Sequence, residues 1–389
     1  MYAEDLFMRK SILLAATIAC LSLTICSCKD SKPSGEHTHD EQPITQEEVE
    51  TNKQTKLNAI SPTVYSRIAN LNLEPGSRIS IIGRYVDNSF WKQVAEGAQE
   101  AVDDLNAMLG YTGNDKIILT YSGPSESDNV DEQINILDEE LSRYPIAIGI
   151  AAIDTAACTL QFDLASENDI PIITFDSGSE YNHVASHIAT DNFAAAGTAA
   201  SKLAYAIEEQ GEVAVFVQDS ISMTATDRLQ GFLDQVAREF PDVTIVNTYY
   251  MDQQESIAEK IAIEQDIEDS SSITQEDIVR YILEKNPNIK GIFATNLDAT
   301  QLVANTVKNL ERTDIKIVGF DGGKEQLKFL EDGTVEGLIL QNPFGMGYAT
   351  VIAAARVHLD LGNESVVDTG YVWVTKDNME QTSISNMLY

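Results

Sequence analysis

The chain has 389 residues, enough for two domains of ordinary size, each with its own core. Hydrophobic residues make up 43% and charged residues 22%, a globular balance rather than a disordered one. Lys and Arg number 26 against 61 Asp and Glu, a formal charge of −35, so the surface repels phosphate backbones and no nucleic-acid partner is expected.

The short basic segment Met8-Arg9-Lys10 precedes an apolar run from Ile12 to Ile25. That pattern predicts a secretory signal, too short and wrongly flanked for a permanent membrane span. Glu4 and Asp5 sit badly in such a signal, and a start at Met8 would exclude them. The run ends in Ile25-Cys26-Ser27-Cys28, which resembles the lipobox of bacterial lipoproteins. Cys28 fits the lipid-bearing position best because small Ser27 precedes it; Cys20, after Ala19, is an alternative, and so is a plain cleaved signal. Acyl chains there would hold the body at a membrane, the only membrane contact expected. With Cys28 as the first mature residue, Cys158 is the only other cysteine, which leaves no disulfide framework and no thiolate metal cluster. Residues 1–28 are therefore read as signal peptide and 29–77 as a flexible acidic tether. Within the tether, Leu57 to Pro75 is more apolar and suits an extra helix on the first lobe. His37-Thr38-His39-Asp40 lacks further ligands, and no metal or cofactor is expected.

After Gly76 the pattern becomes regular. A strand at Ile79–Ile82 is followed by a helix from Trp91 to Leu109, with Val94, Ala98, Ala101, Val102 and Leu105 at helical spacing. Strand Lys116–Tyr121, a helix carrying Ile134, Leu137 and Leu141, strand Ile146–Ile150, a helix through Leu160 and Leu164, and strand Ile172–Phe175 come next. The alternation restarts after Asp191 with helix Phe193–Glu209 and strand Val213–Val217, then helix Thr226–Phe240 and strand Thr244–Tyr250. The acidic stretch within Gln253–Ser272 reads as a solvated surface insertion. Helix Ile278–Glu284, strand Gly291–Ala294, helix Ala299–Leu310, strand Ile315–Phe320, helix Lys324–Leu330 and strand Val335–Leu340 follow. A long apolar helix, Phe344–Leu361, and strand Tyr371–Val374 complete the pattern, which predicts two successive doubly wound, Rossmann-like α/β lobes with parallel sheets.

Ligands of such sheets sit beyond the carboxyl ends of the strands. The residues there are Arg84, Asp87, Asn88, Phe90 and Trp91 after the first strand, then Asp176, then Asp219 to Thr226, Asn296, Asp321 and Gln341. Singly, each of these is an ordinary turn former or helix cap. Together, carboxylates and carboxamides that hold neighbouring hydroxyls, with aromatic faces for apolar C–H surfaces, suit a neutral polyhydroxylated solute.

Several short motifs then occur in one order: Asp87-Asn88-Ser89-Phe90-Trp91, Ile172-Ile173-Thr174-Phe175-Asp176, Ser186 to Asn192, Arg228-Leu229-Gln230-Gly231-Phe232, Ile292 to Asn296, Val318-Gly319-Phe320-Asp321-Gly322 and Asp368-Thr369-Gly370. In these the chain, from about Arg78 to Asn378, resembles periplasmic sugar-binding proteins of the ribose-binding type, which share the type 1 periplasmic binding protein fold with lac-repressor-type effector domains. The resemblance implies lobes at 78–189 with 342–370 and 190–341 with 371–389, joined by a three-strand hinge near Thr190, Gln341 and Tyr371. It implies that Asn88 bonds a sugar sandwiched by Phe90 and Trp91, with Asp176, Asn296, Asp321 and Gln341 on its hydroxyls. Where ribose binders carry Arg, this chain has Ser177 and Thr226, and Ala151 stands where they carry Asn. Arg84 offers a replacement cation, and ribose itself is not expected. The implied behaviour is that of a monomer that captures a solute by closure and presents it to an ABC-type permease, or alternatively to a sensor kinase or chemoreceptor.

A regulator with this core would begin with a basic DNA-binding domain, whose place is taken here by a signal and an acidic tether. Enzyme motifs such as Gly-x-Ser-x-Gly, a phosphate loop or His-Glu-x-x-His do not occur, and His187 reads as a hydrogen-bonded hinge residue.

Overall fold

The computed structural model describes residues 46–389. The signal segment, Cys28 and the histidines at 37 and 39 lie outside the described residues. The helices are α1 (Gln46–Asn58), α2 (Ser89–Leu109), α3 (Val130–Leu141), α4 (Thr159–Glu167), α5 (Asn192–Ala206), α6 (Met223–Glu239), α7 (Gln254–Gln265), α8 (Gln275–Lys285), α9 (Leu297–Asn309), α10 (Lys324–Glu331), α11 (Pro343–His358) and α12 (Thr382–Ser385). The strands are β1 (Arg78–Ile82), β2 (Ile118–Ser122), β3 (Ala147–Ile150), β4 (Ile172–Phe175), β5 (Ser186–Ala189), β6 (Gly211–Val217), β7 (Val243–Tyr250), β8 (Ile289–Ala294), β9 (Lys316–Phe320), β10 (Gly337–Gln341), β11 (Val366–Asp368) and β12 (Tyr371–Val374).

They form two six-stranded sheets, ordered β11-β5-β4-β3-β1-β2 and β12-β10-β9-β8-β6-β7. Every pairing in the first is parallel, with Ile79 beside Leu119 and Ala147. In the second only β12 runs antiparallel, along β10. Parallel sheets must be covered on both faces, which is why β3, β4 and β10 are buried at every residue. In the first lobe, one sheet face lays Ile79, Ile81, Ile173 and Phe175 under α2 and α11, and the other lays Ile82, Ile148, Ile150 and Ile172 under α3 and α4. The second lobe repeats this, with Val213, Val215 and Phe293 under α5 and α6, and Phe216, Ile292 and Ile317 under α7 to α10.

The chain passes between the sheets three times: after β5, after β10 and between β11 and β12. Helix α11 is buried from Pro343 to Ala355 because it sits against both α2 and the first sheet. Its approach to α2 is close enough that a Cβ at Gly347 would lie 1.9 Å from the Val94 carbonyl oxygen, and one at Gly97 1.9 Å from that of Phe344.

Three expectations change. The reading of residues up to 77 as a flexible tether does not hold from Gln46 onward. There α1 is anchored on α2 by Lys53, which donates to Glu100 at 2.6 Å and Asp104 at 2.9 Å, and Leu57, Ile60, Tyr65, Leu71 and Leu73 join the first lobe's core. Packing of the apolar stretch Leu57–Pro75 on the first lobe was expected; for α1 polar composition concealed it, because that helix is held by ion pairs rather than by an apolar stripe. The acidic stretch Glu264–Asp269 is exposed as expected, but the rest of the insertion packs, since α7 buries Ala258, Ile261 and Ala262 against the second lobe. Strands β5 and β11 are too short for a periodic signal and exist because they extend an already formed sheet edge.

Candidate functional site

The carboxyl ends of the two sheets face one cleft, and the residues there surround a cavity of about 70 Å³. A single water needs roughly 10–15 Å³ by that measure, so the space has room for a small solute. Arg84, Asn88, Phe90, Trp91 and Asp176 line it from the first lobe, and Asn296 and Asp321 from the second, with Gln341 at a crossing. Asp87 does not line it, being exposed and paired with Lys92, and of the stretch Asp219 to Thr226 only Thr224 does, so Thr226 is not brought there. Its hydroxyl bonds back to the Ser222 carbonyl at 3.2 Å within the first turn of α6, and buried Thr224 lines the cavity instead.

Backbone geometry aims the groups. Asp176 and Asp321 occupy equivalent places, one residue past β4 and β9, both left-handed at φ 55° and 70°. That conformation is tolerated by Asp and turns each carboxylate into the cleft as its strand ends. Asn88 and Asn296 are the N-caps of α2 and α9. Their Oδ1 atoms accept from Trp91 N at 3.0 Å and Ala299 N at 2.9 Å, which leaves each amide Nδ2 free to donate inward. Asp321 is held by three neutral donors: Leu297 N at 2.9 Å, Gln341 Nε2 at 2.7 Å and the Tyr389 hydroxyl at 2.9 Å.

Arg84 pairs directly with cleft carboxylates other than Asp176. Its guanidinium donates to Asp128 from Nε at 3.0 Å, with a second contact from Nη2, and crosses the cleft to Asp219 Oδ2 at 3.0 Å. Asp219 is fixed in turn by Ser222 N at 2.7 Å, Ser222 Oγ at 2.9 Å and Ile221 N at 3.1 Å. Burial pushes its carboxyl up, but Arg84 and the Ser222 donors outweigh burial and hold it below the ordinary range. Asp176 has no such partner. Burial, with Asp321 and Asp128 adding, lifts it to about 6 against the pull of Arg228 and Arg84. Asp298, at the mouth, is raised first by partial burial and then by Asp128 and Asp321.

The aromatic pair also differs from expectation. Phe90 and Trp91 meet edge to face, 5.0 Å apart and 79° between planes, so they make a corner rather than a sandwich. Consecutive residues on one helix point in different directions, and Trp91 packs inward on Phe175 at 6.3 Å. Tyr389 stands 6.0 Å from Phe90 and so touches both lobes. His187 lies in β5, bonded to Thr174 at 2.9 Å and held by burial down at about 4, a structural residue.

Sequence reasoning missed Asp128, Gln218, Arg228 and Asp298 as lining residues. Gln218 directly follows β6 and was within reach of the strand-end rule. Arg228 lies on α6, where it donates to Asn192 at 2.8 Å and the Thr295 carbonyl at 2.7 Å and stacks on Phe320. Asp128 sits in a loop without periodicity, and no sequence signal marked it.

Two parallel-sheet lobes around one polar cavity define a protein that binds a small solute between its halves. Residues 79–362 match the periplasmic binding protein domain, and the chain belongs to that family. It is 24% identical over 298 residues to the ribose import binding protein of Escherichia coli (strain K12), covering 77% of this chain and 90% of that one. To the D-apiose import binding protein of Actinobacillus succinogenes it is 26% identical over 281 residues, 72% of this chain and 81% of that one. A carbohydrate transporter solute-binding protein from Agrobacterium radiobacter, solved with D-arabinose, superposes with a TM-score of 0.70 at 30% identity, covering 80% of this chain and 99% of that chain. Among the described residues no helix is long and apolar enough to cross a membrane.

Proposed function

We propose that this protein captures one monosaccharide, or a related polyol, by closure of its lobes and delivers it to an ABC-type permease outside the cytoplasm. It does so as a binding protein, without chemistry on the solute. The observation that carries the reading is the convergence of Asn88, Asp176, Asn296, Asp321 and Gln341 with two aromatic rings on one cavity from both lobes. The relatives named for ribose and apiose import and the neighbour solved with arabinose support it. Residues 78–189 with 342–370 and 190–341 with 371–389 move as two bodies about the three crossings, and the bound solute favours the closed arrangement. The binding residues are Asn88, Phe90, Trp91, Asp176, Asn296, Asp321 and Gln341. Arg84 acts through closure.

A thermal-shift screen against pentoses, hexoses, polyols and nucleosides tests this, because a solute that binds only folded protein must raise the melting temperature. Asp321→Ala, with its melting temperature measured first, is expected to abolish the shift; a full shift in that variant refutes the site. We further propose that Cys28 carries the lipid that holds the protein at the membrane. Cys28→Ser is expected to release it to the soluble fraction, and retention with membranes refutes the anchor.

A further inference from the structure

We propose, on the reading that the cleft takes a monosaccharide, that its solute is an aminated sugar bearing a protonated primary amine. The walls are short of positive charge. Asp128, Asp176, Asp298 and Asp321 line the cavity, and Asp219 lies behind Arg84, so five carboxylates face two guanidiniums, Arg84 and Arg228, among the described residues. Arg84 is committed to Asp128 and Asp219. Arg228 gives its hydrogen bonds to Asn192 and a carbonyl, none to a carboxylate, and lays its face on Phe320.

The walls are also short of donors. Asp176 is 93% buried, since only 7% of it is exposed, yet no group among the described residues donates to its carboxylate. Gln341 spends its Nε2 on Asp321, and its buried Oε1 has no partner. Asp298, exposed at the mouth, has neither hydrogen bond nor ion pair among the described residues and is open to a cation at the rim. Arg228 and Arg84 act on Asp176 only through space, and a buried carboxylate or amide oxygen without a donor or a direct ion pair is costly. A hydroxyl brings one proton to these groups, whereas an ammonium brings three and a positive charge. Asn88 Nδ2 and Asn296 Nδ2 remain as donors to ring hydroxyls. The combination asks for a cation on a polyhydroxylated scaffold.

Calorimetric titration of the full chain at about pH 7 compares D-glucosamine, D-galactosamine and D-mannosamine with glucose, galactose and mannose and with the N-acetyl derivatives. At least one amine is expected to bind about ten-fold or more tightly than its neutral parent, and acetylation, which removes the charge, to cancel the gain. Asp298→Asn, at the exposed mouth, and Asp176→Asn are each expected to cut that preference to about three-fold or less. A neutral parent that binds as tightly as its amine overturns the charge assignment and leaves the sugar reading standing. If no pentose, hexose or hexosamine binds, the sugar reading falls with it.

Discussion

Replacing Asp219 with Asn isolates the one buried ion pair that spans the cleft among the described residues. Oδ1 of Asp219 accepts the amides of Ile221 and Ser222, both in its own lobe, and Asn retains that atom. Oδ2 faces Arg84 and the Ser222 hydroxyl, and there Asn presents an NH₂ that cannot accept from a guanidinium. Within the lobe the Ser222 hydroxyl turns to accept from that NH₂, and the link across the cleft is cut. The side chains are 7% and 5% exposed, so the pair is poorly screened in the closed form. Stranding a buried charge outright costs about 3–5 kcal/mol. Arg84 keeps Asp128, which is half exposed, so the loss is nearer that of one charged hydrogen bond, about 1.5–3 kcal/mol. Opening hydrates Arg84, and the whole cost therefore falls on closure. Because solute binding is coupled to closure, affinity is expected to weaken roughly ten- to 150-fold. Titration calorimetry with a solute found by the thermal screen measures the affinity, and small-angle scattering follows whether the liganded protein still contracts. An affinity within about two-fold of the unmodified protein would mean that Arg84 and Asp219 do not hold the lobes together.

Asp176 makes stability depend on pH. Its carboxyl, ordinarily at 3.8, is raised to about 6, so the folded protein holds this proton more tightly than the unfolded chain does. The contribution is fully present below 3.8 and is lost as pH rises through about 6; at ~1.4 kcal/mol per pH unit it is worth about 3 kcal/mol. Melting temperatures of unliganded Asp176→Asn are expected to gain on the unmodified protein between about pH 4 and pH 7, and parallel curves would refute this. Gly347→Ala places a methyl group 1.9 Å from the Val94 carbonyl oxygen, where backbone must move. It is expected to cost about 1–3 kcal/mol or more, seen as a lower melting temperature in calorimetry, and an unchanged melt would show that α2 and α11 have slack between them.

The doubly wound lobes were legible in the sequence because the strands buried on both faces are short aliphatic runs, and most covering helices, α7 excepted, carry apolar residues that sequence reading recognised. Residues such as Asn88, Asp176, Asn296 and Asp321 were legible for a related reason. They sit at strand ends or helix caps, where local structure dictates which way a side chain points. The rest depends on contacts between residues distant in the chain. Helix α1 is polar and is held by Glu100 and Asp104 of α2; β5 and β11 exist only beside strands already paired; Thr226 turns back on its own helix. Asp128 reaches the cleft from an irregular loop, and Asp219 finds Arg84 only when the lobes meet. Periodicity and strand-end chemistry are short-range properties that a linear sequence displays. Which cation neutralises which carboxylate is a matter of distance in space, and folding alone decided it.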